Sequence, residues 1–124
     1  MRWLVDGMNV IGSRPDGWWK DRDGAMARLV DRLERWSATT GNDVTVVFER
    51  KPSVTSPVIE VAHAPKPRRD AADDEIIRRV RADADPSSIR VVTSDHLLAD
   101  LVRGSGATVE PAAPFRNRID DEVL

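Results

Sequence analysis

The sequence predicts an α/β fold, a mostly parallel sheet of about five strands with helices on both faces. Two observations predict it. Short runs rich in β-branched residues alternate along the chain with stretches in which apolar residues recur every three or four positions. The order that results is strand, helix, two strands, helix, strand, helix, strand, which a parallel sheet accommodates and a meander does not. All 124 residues are expected to form one domain, 1–124, since this length supports one core and no composition shift marks a boundary.

Arg2 to Asp6 is an apolar run stopping on a carboxylate before Gly7, a buried strand feeding a loop. Residues 12–24 hold three Gly, a Pro and several charges, so they read as a loop with Trp18 and Trp19 embedded. Met26, Leu29, Val30, Leu33 and Trp36 form one amphipathic helical face, which stops near Gly41-Asn42. Val44 to Phe48 is the second strand and Val58 to Ala62 the third, with a polar loop between them. The Pro-broken basic segment Pro65 to Arg69 leads to Asp70 and a helix running to about Ala84. Ile89 to Thr93 is the fourth strand, and Leu97, Leu98, Leu101 and Val102 mark a helix stopped by Gly104-Ser105-Gly106. Ala107 to Glu110 is a fifth short strand, and residues 111–124 show no clear period.

Composition removes several functions. There is no Cys, hence no disulfide, Cys-ligated metal or thiol nucleophile. A net charge of -2 argues against a diffuse basic surface as the main binding device, though local patches are compatible with it. No apolar run is long enough to span a bilayer and no secretory leader is evident, so a cytoplasmic location is expected. Neither a G-x-G-x-x-G nor a Walker A motif occurs. A receiver-like phosphorylation module fails too, because its paired acids, central phosphoacceptor and Lys are not placed as it needs.

What remains is a set of acids at strand ends. Asp6 closes the first strand, Glu49 follows the second, Asp95 follows the fourth, and Asp73 with Asp74 opens the helix before it. In open α/β sheets, sites form beyond the carboxyl ends of the strands, where the strand order reverses. Acids so far apart in sequence meet only through the fold, and a convergence of carboxylates suits Mg²⁺ or Mn²⁺, hard cations that take oxygen ligands. Each acid also has a structural reading: Asp6-Gly7 as a turn, and Asp73, Asp74 and Asp95 as helix N-terminal caps.

Asp6-Gly7-Met8-Asn9, Ala72-Asp73-Asp74-Glu75-Ile76 and Val92-Thr93-Ser94-Asp95 together resemble the NYN family of PIN-fold nucleases, in particular its YacP-like branch. The resemblance runs in order from Leu4 to about Val109. It implies a three-layer PIN-like domain that hydrolyses RNA phosphodiester bonds as an endoribonuclease in RNA processing or decay, with Mg²⁺ or Mn²⁺ activating the attacking water. It places Asp6, Asp73 and Asp95 in the metal site, Asp74 as a further ligand and Asn9 beside them as a catalytic group orienting substrate. Asp100 is a candidate fourth acid. Many relatives end the second strand in Phe-Asp, where this chain has Phe48-Glu49. Relatives of this branch tend to run longer at the C-terminus, so ribosome association is not expected to carry over unchanged.

Around those strand ends, basic loop residues including Arg14, Arg22, Arg50, Arg68 and Arg69 are candidates for holding a nucleic-acid backbone. Trp18 is a candidate for stacking on unpaired bases of single-stranded RNA, although a Trp pair also serves a core or a homodimer contact. His63 and His96 have no evident partner and read as bystanders. The competing function is a catalytically degenerate PIN-like module that binds RNA or a protein partner.

Overall fold

In the computed structural model, which describes residues 1–122, five strands lie side by side and parallel in the order β3-β2-β1-β4-β5. They are β1 (Arg2–Asp6), β2 (Asp43–Phe48), β3 (Glu60–His63), β4 (Ile89–Val92) and β5 (Thr108–Glu110). The chain lays down β1, β2 and β3 outward in one direction and then returns to place β4 on the free side of β1. The strand order reverses between β1 and β4, which is where a crevice opens at the carboxyl edge of such a sheet.

Side-chain alternation along the strands builds two cores. Trp3, Val5, Val44, Val46, Phe48 and Val92 face one side, where they are covered by α1 (Gly7–Ile11), α2 (Arg22–Thr40) and α5 (Ala112–Glu122). Leu4, Val47, Ile89 and Val91 face the other, under α3 (Ala71–Ala82) and α4 (His96–Gly104). The predicted three-layer arrangement is therefore present. Gly41 closes α2 with φ 75°, a left-handed cap that a residue with a Cβ adopts at a cost. Among the described residues, no helix is long and apolar enough to cross a membrane.

Three elements differ from the sequence reading. The segment after Asp6 is not a loop: α1 starts at Gly7 without a gap, and a 3₁₀ turn at Trp18–Lys20 leads to α2. The third strand is displaced to Glu60–His63, while Ile59 just before it is buried. The segment that showed no period contains α5, whose Ala112, Phe115 and Ile119 are buried at spacings of three and four; residues 123 and 124 of that segment lie outside the described residues.

Helix α5 completes an aromatic cluster at the base of the first core. Phe115 stacks on Trp3 at 5.5 Å and meets Trp36 edge-on at 5.3 Å, while Trp3 and Trp36 meet edge-on at 5.1 Å. Such pairs add to the burial of their area. Phe115→Ala, which empties a fully buried ring site, is expected to cost about 3–5 kcal/mol in urea denaturation.

Candidate active site

At the reversal point, the last residue of β1 is Asp6, and only 5% of its surface is exposed. The hydroxyl of Thr93, just after β4, donates to Asp6 Oδ2 at 3.0 Å and accepts the Asp95 backbone N–H at 3.1 Å. One buried hydroxyl thus spans both strand ends. Asn9, in α1, accepts the Ser94 backbone N–H on its side-chain oxygen at 2.8 Å, and the Ser94 hydroxyl accepts the N–H of Ala112 at the start of α5 at 2.9 Å. The turn after β1 is thereby tied to the turn after β4 and to α5.

Gly7 is required at its place for reasons of space. A Cβ there would fall 2.4 Å from the Phe48 ring, so the chain leaving β1 packs directly on the end of β2. Gly7→Ala is expected to force that ring aside and cost about 1–3 kcal/mol, read as a lowered Tm.

Asp73 sits in the first turn of α3, half-buried, and its charge is felt at Asp6. Burial, then the Asp73 carboxylate, pushes the Asp6 carboxyl up to about 7, against the Thr93 hydroxyl and the Asn9 N–H, which pull it down. Burial, then Asp95, pushes Asp73 up to about 6, with smaller contributions from Asp70, Asp74 and Glu49. Among the described residues, no Arg or Lys forms an ion pair with Asp6, Asp73 or Asp95.

The capping reading holds for Asp95, whose Oδ1 accepts the Leu98 N–H at 2.9 Å, and leaves its other oxygen uncommitted to the helix. Asp6 precedes α1 but makes no side-chain cap bond. Asp74 is exposed and ion-paired with Arg68. Asp100 is exposed and reaches Arg103 at 3.8 Å.

Other sequence candidates separate from this cluster. Arg14 donates to Asp120 at 2.9 Å and to Asn117, both on α5, and lines a hollow between α1, α2 and α5 rather than the acidic edge. Trp18 packs half-buried against the first core with Arg22 over its ring at 5.1 Å, so that face is already covered. Arg69 is exposed, and Arg68 lines a cavity beside Glu49. His63 and His96 are exposed. The residue missed in the sequence is Thr93, which reads as an ordinary β-branched strand end.

A family model of the YacP-like NYN domain matches residues 3–123. The chain belongs to this family. The YacP-like NYN domains are a PIN-like nuclease family, and the solved structures this chain resembles carry the YacP name. Rae1 (YacP) from Bacillus subtilis is 26% identical, with a TM-score of 0.83 over 98% of this chain and 75% of that one. A single-substitution variant of the same protein gives 25% identity and a TM-score of 0.80 over 98% and 76%. No curated protein matches the sequence.

Carboxyls raised by folding hold more protons in the native than in the unfolded chain between their two pKa values, so stability falls as pH rises through that interval. For Asp6 and Asp73 the interval runs from their ordinary value of 3.8 to about 7 and about 6. The metal-free protein is therefore expected to lose Tm between about pH 4 and pH 7, and Asp6→Asn to remove most of that loss, raising Tm at about pH 8 by roughly 3–6 °C. A wild-type Tm that is flat over this range would contradict the coupling of these acids.

Proposed function

We propose that this YacP-like NYN domain is a metal-dependent ribonuclease that hydrolyses phosphodiester bonds within single-stranded RNA. The observation that carries the reading is the buried Asp6, electrostatically coupled to both Asp73 and Asp95, which are coupled to each other, with no Arg or Lys paired to any of the three among the described residues. Carboxylates crowded without a counter-ion are what a hard divalent cation neutralises.

The donor set fits Mg²⁺ or Mn²⁺ in kind, being oxygen throughout. Among the described residues, no three acid or imidazole side chains are drawn together closely enough to hold an ion without adjustment. Asp6, Asp73 and Asp95 would hold it, and Asp74 would join by giving up Arg68. The chemistry such an ion supplies is a lowered pKa for water and neutralised charge on the phosphodiester. The chain's own contribution is placement. Thr93 fixes the Asp6 carboxylate, and Asn9 and Ser94 hold the two turns at a constant separation. Arg68 and Arg69, on the exposed loop before α3, contact the RNA backbone.

The test is cleavage of 5′-labelled single-stranded RNA with Mn²⁺ present. Asp6→Asn and Asp73→Asn are each expected to lower the rate by on the order of 100-fold or more while the protein stays folded. A duplex of the same sequence is expected to be cut more slowly, since among the described residues no element is shaped to track a helical groove. Replacing Arg68 and Arg69 together with Ala is expected to weaken RNA binding and flatten its salt dependence, with Mn²⁺ affinity kept or raised because Asp74 is released from Arg68. The open arrangement of the acids favours a second reading, an RNA-binding module without cleavage, and RNA bound tightly but left intact with Mn²⁺ would establish it.

A further inference from the structure

Beside the acids, at the carboxyl end of β2, lies a cavity of about 300 Å³, at the small end of the range for ligand sites. Its floor is apolar: half-buried Met8 from α1, lying over Met26 of α2 and the Phe48 ring, which are themselves buried. Three arginines and one acid, Glu49, form its rim. Glu49 is half-buried, and among the described residues its carboxylate has neither a hydrogen bond nor an ion pair.

The rim arginines are only loosely engaged. Arg68 pairs with Asp74, and both are well exposed. Arg50 reaches Asp23 at 3.6 Å, again between exposed groups. Arg22 rests over the Trp18 ring at 5.1 Å. Contacts of this kind contribute little and exchange readily for a phosphate.

We infer that this cavity is a base-recognition subsite that takes a guanine of the RNA strand, with Glu49 reading its Watson–Crick edge and the rim arginines holding the adjoining phosphates. A carboxylate can only accept hydrogen bonds, through two oxygens side by side. Guanine alone among the four RNA bases presents two adjacent donors, N1–H and the exocyclic N2 amino group, that match them. Adenine and cytosine each set a ring acceptor next to their amino donor, and uracil flanks its N3–H with two carbonyls. Each of these turns an acceptor toward Glu49, which is repulsive. Met8 offers an apolar contact to the face of any base, so the discrimination falls to Glu49.

Location supports the same assignment. Glu49 is near enough to Asp73 for its charge to act on that carboxyl. A guanine in the cavity therefore lies next to the acids, and the phosphate joining it to its neighbour is within the region they serve. The inference rests on the ribonuclease reading for its biological use, but the recognition itself does not require cleavage.

The test separates the two. The full chain is titrated calorimetrically with GMP, IMP, AMP, CMP and UMP, and the titrations are repeated with Glu49→Gln. GMP is expected to bind roughly tenfold more tightly than IMP, which lacks only the N2 amino group, and than the other three. Glu49→Gln is expected to weaken GMP by roughly tenfold, with AMP affinity unchanged and Mn²⁺ still bound. Equal binding of all five nucleotides, or of none, overturns the subsite. So does a Glu49→Gln protein that keeps its preference for GMP but loses Mn²⁺, which would make Glu49 a metal ligand. Oligoadenylate carrying a single G then reports on cleavage. If it is never cut while GMP is still preferred, the ribonuclease reading fails and the subsite stands. If it is cut without regard to the G, and GMP binds no better than AMP, the subsite fails and the ribonuclease reading stands.

Discussion

The contact on which the rest of the structure depends is the hydrogen bond from Thr93 to Asp6. It joins the ends of β1 and β4, the two strands between which the order of the sheet reverses. Everything at the carboxyl edge is referred to it: Asp95 through its backbone N–H on the Thr93 hydroxyl, Ser94 through Asn9, and α5 through the Ser94 hydroxyl. A buried carboxylate is costly unless its lone pairs are satisfied. Here they are satisfied by neutral groups, which position the oxygen without cancelling its charge.

Glu75 shows what a charged partner changes. It is as inaccessible as Asp6, with 5% of its surface exposed, yet its carboxyl is held down at about 2 by Arg78 and Arg79. Both arginines stand within one turn of it on α3, and Arg79 continues to Glu60 on β3. Asp73 lies two residues earlier on the same helix, on the side facing the strand ends, and receives no such partner. A chain with sixteen arginines has ample means of neutralising a second carboxylate. One helix thus carries a compensated acid that holds the edge strand and an uncompensated one that faces the crevice, and only the second kind retains charge for a ligand to meet.

The strands were legible because β-branched runs such as Val44 to Phe48 have one reading, and α2 because five apolar residues keep its period. Helix α1 was not legible: five residues are too few to show a period, and Asp6-Gly7 has the chemistry of a turn. The role of Gly7 depends on Phe48, forty-one positions away, which no local pattern encodes. Helix α5 offered a signal in Ala112, Phe115 and Ile119, diluted by Pro111, Pro114 and the charged residues between. The acids could be assigned to one edge from the strand ends alone, as could the loops bearing Arg68 and Arg50. Arg14 could not be placed, because its partners Asp120 and Asn117 stand on the helix that was missed. Trp18 was drawn into the core for a related reason, since the hollow it borders is closed by α5.

The cavity beside Glu49 follows from the way β2 is connected to β3. Parallel neighbours are ordinarily joined by a helix that covers the sheet, but residues 49–59 form none. Instead Val54 and Ile59 fold back onto the first core and fill the space with two side chains where a helix would supply a whole face. The end of β2 is left without a covering helix as a result, with Phe48 buried beneath the hollow and Glu49 at its opening. Had a helix crossed here, Glu49 would have been displaced to a helix N-terminus and its carboxylate used as a cap, the use made of Asp95. An extended crossover leaves the carboxylate without backbone donors to satisfy, half-buried and adjacent to Asp73. The helix-free crossover therefore leaves both the hollow and the acceptor at its opening.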